Sequence, residues 1–318
     1  MAKIHRYRAH GLTIESSLEL PVPEFDGNDP TDVVLSRALD DRWRAVVQAA
    51  FHSRPDSETE PFVFDHWTPD GLVIEFVGAA LICASESSVA LVGQSTDDDD
   101  IIAHLLLDHV LPRVVSLRGD LMLHGAGAVG PSGFAHVILG RSGMGKSTLS
   151  AAMAASGWPL LDDDGVRVGH HEGRFFATPG YSGLRLLPDA ASAVIPGIAP
   201  GRPMSRGHQK RRFTMDGSQL NMATGSAPIG GVYLLQRSLT EVSTIEALSL
   251  GEAMLAVVEH GFHVTPDFRE LNRHAFERAS ELVAAVPAWR LSTPHGLSNL
   301  ADTLTLFHAL DASLNQVY

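Results

Sequence analysis

The stretch that most restricts what this chain can fold into is Gly140-Arg141-Ser142-Gly143-Met144-Gly145-Lys146-Ser147-Thr148, which fits the pattern G-x-x-x-x-G-K-[ST]. In such a loop the glycines let backbone N–H groups turn toward phosphate oxygens. The lysine reaches the outer phosphates, and the hydroxyl that follows it is placed to hold Mg²⁺. The flanks agree with the loop. Ala135-His136-Val137-Ile138-Leu139 reads as a buried strand, and residues 147–156 carry Ala, Leu and Met at helical spacing up to Gly157. A strand feeding a loop that opens a helix adds the partial positive charge of the helix N-terminus to the anion site. ATP or GTP binding is the expectation, with Gly140, Ser142, Gly143, Met144, Gly145, Lys146, Ser147 and Thr148 as the nucleotide-binding residues.

Composition narrows the class further. The 318 residues suffice for one large domain or two ordinary ones, and 44% hydrophobic with 19% charged residues is the balance of a globular protein. No run approaches the ~20 apolar residues of a membrane span. The opening Met1-Ala2-Lys3-Ile4-His5-Arg6 lacks the apolar core of a signal peptide, so a cytoplasmic location is expected. Cys83 is the single cysteine, which rules out a disulfide framework and a cysteine-based zinc site. A net charge of −13 argues against a general nucleic-acid binder, and no membrane partner is expected.

Two segments are expected, 1–118 and 119–318. The first holds short strand-like runs, at Ile4 to Ile14, Phe62 to Phe64, Leu72 to Val77 and Val89 to Val92, with a loop over Pro21 to Pro30. Four acids, Asp97 to Asp100, precede an apolar-periodic stretch, Ile101 to Leu117, and read as a helix start in preference to a metal site. In the second segment, strands are expected at Leu121 to Leu123, Ala135 to Leu139, Val232 to Leu235 and Trp289 to Ser292. Val166 to Val168 and Arg174 to Ala177 read as a hairpin around Gly169 to Gly173. Helices are expected at Pro188 to Ala193, Leu250 to His260, Phe268 to Val286 and Leu297 to Leu310, and a mobile loop at Ile195 to Gln209. Regular βαβ alternation is missing, so the P-loop is expected on a less common α/β sheet.

Several residues carry candidate chemistry. Leu160-Leu161 running into Asp162-Asp163-Asp164 looks like a strand ending in acids. A carboxylate there can hold Mg²⁺, and a second can take a proton from an attacking hydroxyl. The plain alternative is a polar turn. His124, read at the end of the strand ahead of the P-loop hairpin, can orient or share a proton with Asp163; the alternative is a histidine bonded to backbone. Lys210-Arg211-Arg212 is the one strong basic cluster near these acids, and it either neutralises a transferred phosphoryl group or is a solvated loop. Arg185, alone in an apolar run, pairs with the acids or phosphate or lies at a strand edge. The scattered histidines show no zinc spacing.

The order His124-Gly125, P-loop, Leu161-Asp162-Asp163-Asp164, Pro179-Gly180-Tyr181 with Leu184-Arg185-Leu186, then Lys210-Arg211-Arg212 resembles the HPr serine kinase/phosphorylase C-terminal domain family. The likeness spans about Leu121 to Leu310. It is strongest to the short HPr-kinase-like proteins of lasso-peptide and other ribosomal-peptide biosynthetic clusters, whose N-terminal β segment the opening His5 to Thr13 also resembles. The resemblance implies an α/β fold, with a P-loop mixed sheet of the HPr kinase/phosphoenolpyruvate carboxykinase type behind an N-terminal β-rich segment and linking helix. It implies ATP and Mg²⁺ as cofactors, and it implies oligomers. By motif it makes Asp163 the base, with Asp162 the competing choice, and His124 its helper. Lys146 and Arg211 act on phosphate, and Ser147 and Asp164 hold the metal. A longer glycine-rich signature downstream of the acids is absent, and Arg185 stands where an acid or glycine is usual, which argues against HPr itself as acceptor and against phosphorolysis.

The leading expectation is an ATP- and Mg²⁺-dependent kinase of a serine hydroxyl on a peptide or small protein. The resemblance points to the C-terminal serine of a lasso-type precursor. Two rivals are a small-molecule kinase and a nucleotide-gated peptide-binding partner without catalysis.

Overall fold

The computed structural model describes residues 3–37, 41–52, 63–68, 70–181, 183–199, 201–203, 209–213, 220–262 and 269–314. The chain divides into two compact units, Met1–Gly119 with His263–Asn272, and Asp120–Phe262 with Arg273–Tyr318. Both mix strands and helices.

In the first unit a seven-stranded sheet runs in the order β1-β2-β3-β7-β6-β5-β4. Its strands are β1 (His5–Ala9), β2 (Leu12–Ser16), β3 (Val33–Ser36), β4 (Val63–Thr68), β5 (Gly71–Phe76), β6 (Ala80–Ala84) and β7 (Ser88–Gln94). The single strand expected over Ile4 to Ile14 is in fact the hairpin β1–β2. His10 (φ 51°) and Gly11 (φ 70°) form its two-residue turn, with Ala9 opposite Leu12. Positive φ at both central residues is what a tight hairpin requires. Helix α1 (Asp41–His52) lays Trp43 and Val46 on Val73, Cys83 and Ala90.

The acid-led helix begins as expected, with the Asp98 carboxylate accepting from the backbone N–H groups of Asp100 and Ile101. It is not uniform. α2 (Asp99–His104) passes into a π-helical stretch, Leu105–Val110, before α3 (Leu111–Leu117). The widened turns precede Pro112, which has no N–H to give to the carbonyl four residues back. Among the described residues no group of three or more metal-ligating side chains occurs, at this acid run or elsewhere. No helix there is long and apolar enough to cross a membrane.

The second unit is built on β8 (Leu121–Val129), β9 (Ala135–Leu139), α4 (Lys146–Ala155), β10 (Leu160–Asp162), β11 (Gly165–His171) and β12 (Arg174–Thr178). After these come β13 (Leu184–Leu186), α5 (Pro188–Val194), β14 (Arg202–Pro203), β15 (Arg211–Phe213), β16 (Ala227–Arg237), β17 (Thr244–Ala247), α6 (Leu250–Glu259), α7 (Arg269–Ala285), β18 (Ala288–Thr293) and α8 (Leu300–Leu314). Pairing closes a ring, with β8 on β11, β11 on β12, β12 on β16, β16 on β9 and β9 back on β8. β10 extends the sheet from β8, and β18 and β17 extend it from β16. Most pairs are antiparallel, but β16 is parallel to both β9 and β18, so the sheet is mixed.

Alternation along β9 sorts the two faces. Ala135, Val137 and Leu139 join a cluster with Val257 of α6 and Ala279 and Leu282 of α7. Ile138 turns the other way, to Leu149 and Met153 of α4, Trp158, and Phe307 of α8. His136 shares that face, fully buried. Its Nε2 meets Asp311 Oδ1 at 3.0 Å and its Nδ1 meets the Tyr233 hydroxyl at 2.9 Å. Asp311 also accepts from the Ser132 backbone N–H and hydroxyl, so α8 is tied to the strand that feeds the P-loop.

The expected mobile loop, Ile195 to Gln209, falls partly outside the described residues; Arg202–Pro203 within it pairs with β15. The hairpin around Gly169 to Gly173 is tighter than expected. β11 continues to His171, and the turn is Glu172 and Gly173, both at positive φ.

Candidate functional site

The P-loop joins the end of β9 to the start of α4 as expected. At Gly140 φ is 151°, and an added Cβ would lie 2.8 Å from the Leu235 carbonyl oxygen, so only glycine fits beside β16. Gly145 (φ 101°) is the N-cap of α4. At Gly143 and Gly145 an added Cβ would meet nothing within 4 Å, so the cradle is open above the loop backbone. Arg141, Ser142 and Gly143 are exposed and Thr148 is half-buried, while Met144 packs against the α4/α8 cluster. Arg237 donates to the Gly143 carbonyl at 3.2 Å and steadies the loop from β16. Open glycines, a helix N-terminus and a lysine are a donor set that fits a nucleotide's phosphates.

Lys146 and Ser147 are both buried. Lys146 Nζ donates to the Gly140 carbonyl at 2.6 Å. Burial pushes its ammonium below the ordinary lysine value, Asp164 opposes that shift, and Lys210 reinforces it. Lys210 Nζ donates to the Ser147 hydroxyl at 3.3 Å.

The three acids separate into different environments. Asp162 ends β10, and its Oδ1 accepts from the backbone N–H groups of Asp164 (2.9 Å) and Gly165 (3.2 Å), which makes the turn. Its Oδ2 is buried, has no hydrogen-bond partner among the described residues, and lies against Gly180, where an added Cβ would come within 1.5 Å. Burial pushes this carboxyl up to about 7 despite Arg185, and Asp163 adds to the rise.

Asp163, expected as the base, is 1% exposed with both oxygens engaged by Arg185. Oδ1 accepts from Nε at 3.0 Å and Nη2 at 2.7 Å, and Oδ2 accepts from the backbone N–H at 2.6 Å. As arranged, Asp163 holds Arg185 and is not open to an acceptor. Asp164 is the accessible acid, 29% exposed, with Arg185 Nη1 3.2 Å from its Oδ2.

His124 is not at a strand end. β8 runs on through Gly125, Ala126 and Gly127, and His124 stands mid-strand opposite Gly165. Gly125 is what allows this, because a Cβ there would lie 2.7 Å from the Ile138 carbonyl oxygen of β9. His124 Nδ1 is 3.8 Å from Asp164 Oδ1, longer than a hydrogen bond. Burial holds the imidazole below the ordinary histidine value, outweighing Asp164 and helped by Lys146. It is therefore neutral near pH 7 and free to accept a proton.

The basic cluster is divided by strand alternation. Arg211, expected to act on the phosphoryl group, is exposed and donates to the Gly201 carbonyl at 3.1 Å. Neighbouring positions on an extended chain face opposite ways, so Lys210 and Arg212 share the other side. Lys210 reaches Ser147, and Arg212 lies over the Tyr181 ring at 5.4 Å, across from Arg185 at 5.7 Å. Tyr181, which stood in the motif order without a role, belongs to the site, as does Phe262, packed edge-on against His124 and not singled out from the sequence. For Phe262 the one signal was an aromatic residue directly after Gly261.

Comparison with known proteins adds little. No family model matches the chain, and no curated protein sequence matches it. Among solved structures, the HPr(Ser) kinase/phosphatase from Coxiella burnetii is similar at a TM-score of 0.31 and 16% sequence identity, over 60% of this chain and 98% of that one. So distant a likeness decides neither activity nor substrate.

Proposed function

We propose that this chain is an ATP- and Mg²⁺-dependent phosphotransferase that acts on a serine hydroxyl of a peptide or small protein. The observation that carries the reading is the convergence on Asp164, whose carboxylate acts on the P-loop ammonium of Lys146 and on the imidazole of His124. A P-loop facing an accessible carboxylate and a neutral base is an arrangement for phosphoryl transfer.

Lys146 and the loop N–H groups would hold the phosphates. Ser147, with Asp164 directly or through water, would hold Mg²⁺. When bound, the metal nucleotide supplies the activated phosphoryl group and part of the charge neutralisation. His124 receives the acceptor hydroxyl's proton in place of Asp163. Asp163 instead holds Arg185 beside Asp164, where its guanidinium would offset charge that develops near that carboxylate.

The test is intact-mass measurement of candidate peptides, including any encoded beside this gene, after incubation with ATP, Mg²⁺ and the protein. Addition of one phosphoryl group to a serine, lost with His124→Gln, is the expected result. Bound ATP without transfer to any offered peptide, or transfer to free serine or another small molecule alone, overturns the peptide-kinase reading.

A further inference from the structure

The Lys210 ammonium donates to the hydroxyl that follows the P-loop lysine. Lys210 is half-buried and precedes β15, whose direction is set by pairing Arg212 with Arg185 and Arg211 with Leu186. Lys210 is the residue before that paired strand, and its ammonium reaches the Ser147 hydroxyl at 3.3 Å. Lys210 also acts on the neighbouring lysine, since it is among the charges that lower the Lys146 ammonium. A like charge beside Lys146 is unfavourable unless something offsets it, and the Asp164 and Asp163 carboxylates both act on Lys146 in the opposite sense.

The hydroxyl after a P-loop lysine is the group that holds a divalent cation. We propose that Lys210 is a built-in monovalent stand-in for that cation. Its ammonium occupies the Ser147 hydroxyl when no divalent ion is there, supports metal-free nucleotide, and is displaced by Mg²⁺. This rests on the nucleotide reading of the P-loop given above. It makes Lys210 a binding residue with a defined metal dependence, distinct from Arg211 and Arg212 beside it.

Calorimetric titration with ATP, once in excess chelator and once in excess Mg²⁺, separates the two ideas. For Lys210→Met, metal-free ATP affinity is expected to fall about tenfold, while Mg²⁺·ATP affinity stays within about twofold. Lys210→Arg keeps the charge and is expected to restore most of the metal-free affinity. Equal losses in both conditions, or no loss in either, overturn the stand-in role and leave the nucleotide site standing. Failure of the unsubstituted protein to bind ATP in either condition overturns both. Thermal melts of the two variants confirm that each is folded.

Discussion

Arg185 decides how three adjacent aspartates are used. Its guanidinium lies 2.7 Å from Asp163, 3.2 Å from Asp164 and 3.6 Å from Asp162, and only Asp164 keeps an exposed face. Without Asp163, the Arg185 backbone N–H and two of its guanidinium N–H groups lose their acceptor while Asp164 and Asp162 still face the charge, a loss of about 1–3 kcal/mol. Asp163→Ala is therefore expected to destabilise the second unit by that amount in denaturant melts, besides weakening transfer by unseating Arg185. His124→Gln removes a base without exposing a buried charge. It is expected to lose about 10²–10⁴ in transfer rate with nearly unchanged stability. If Asp163→Ala melts like the unsubstituted protein, the structural role given to Asp163 is wrong. The aspartate run was visible in the sequence, but the division of labour within it was not. That division is set by Arg185, 22 residues away, for which the sequence offered the acids, phosphate or a strand edge without choosing among them.

At the scale of elements, the connection of α8 to the P-loop strand is the second polar construction in the core. Asp311 gathers the Ser132 backbone N–H, the Ser132 hydroxyl and His136 Nε2. Burial acts to raise this carboxyl, but the hydrogen bonds from His136 and Ser132 together hold it below the ordinary carboxylate value. Gly130 allows the close approach, since a Cβ there would lie 2.0 Å from the carboxylate. A lowered folded-state value means that the unfolded chain binds more protons. The stabilisation is thus complete above the unfolded carboxylate value and is lost as pH falls below it. Asp311→Ala is expected to cost about 2–3 kcal/mol near neutrality, with the gap to the unsubstituted protein closing below about pH 4 in urea titrations. A gap that holds constant to pH 3 would contradict this. Elements with local signals were legible: β9, α4, α6 and the acid-capped start of α2 stand where spacing and caps put them. β8 was cut short after Leu123 because Gly125 and Gly127 read as loop, whereas each marks close strand approach. β3, β13 and β17, of three or four residues, are too short to show a period and depend on their partners.

The largest features of the molecule were the least legible. Closure of β8, β9, β11, β12 and β16 into a ring depends on pairings between residues up to about a hundred positions apart, and it explains why no βαβ rhythm appears in the sequence. One buried residue on that framework makes stability respond to pH. Asp162 sits at the β10 turn with its carboxyl pushed up to about 7. Between the ordinary carboxylate value and about 7 the folded protein binds more protons here than the unfolded chain does. Stability from this group is full at the acid end of that window and declines as pH rises through it. Asp162→Asn keeps the Oδ1 acceptor used by Asp164 and Gly165 and removes the need to keep or lose a proton. The variant is expected to gain on the unsubstituted protein as pH rises from 4 to 8, by about 3–4 kcal/mol at most. Denaturant midpoints at matched ionic strength measure it. Parallel pH profiles for the two proteins would mean that Asp162 ionises as freely in the folded state as in the unfolded one. The acid that ends β10 would then have to be solvated there, against its burial beside Gly180.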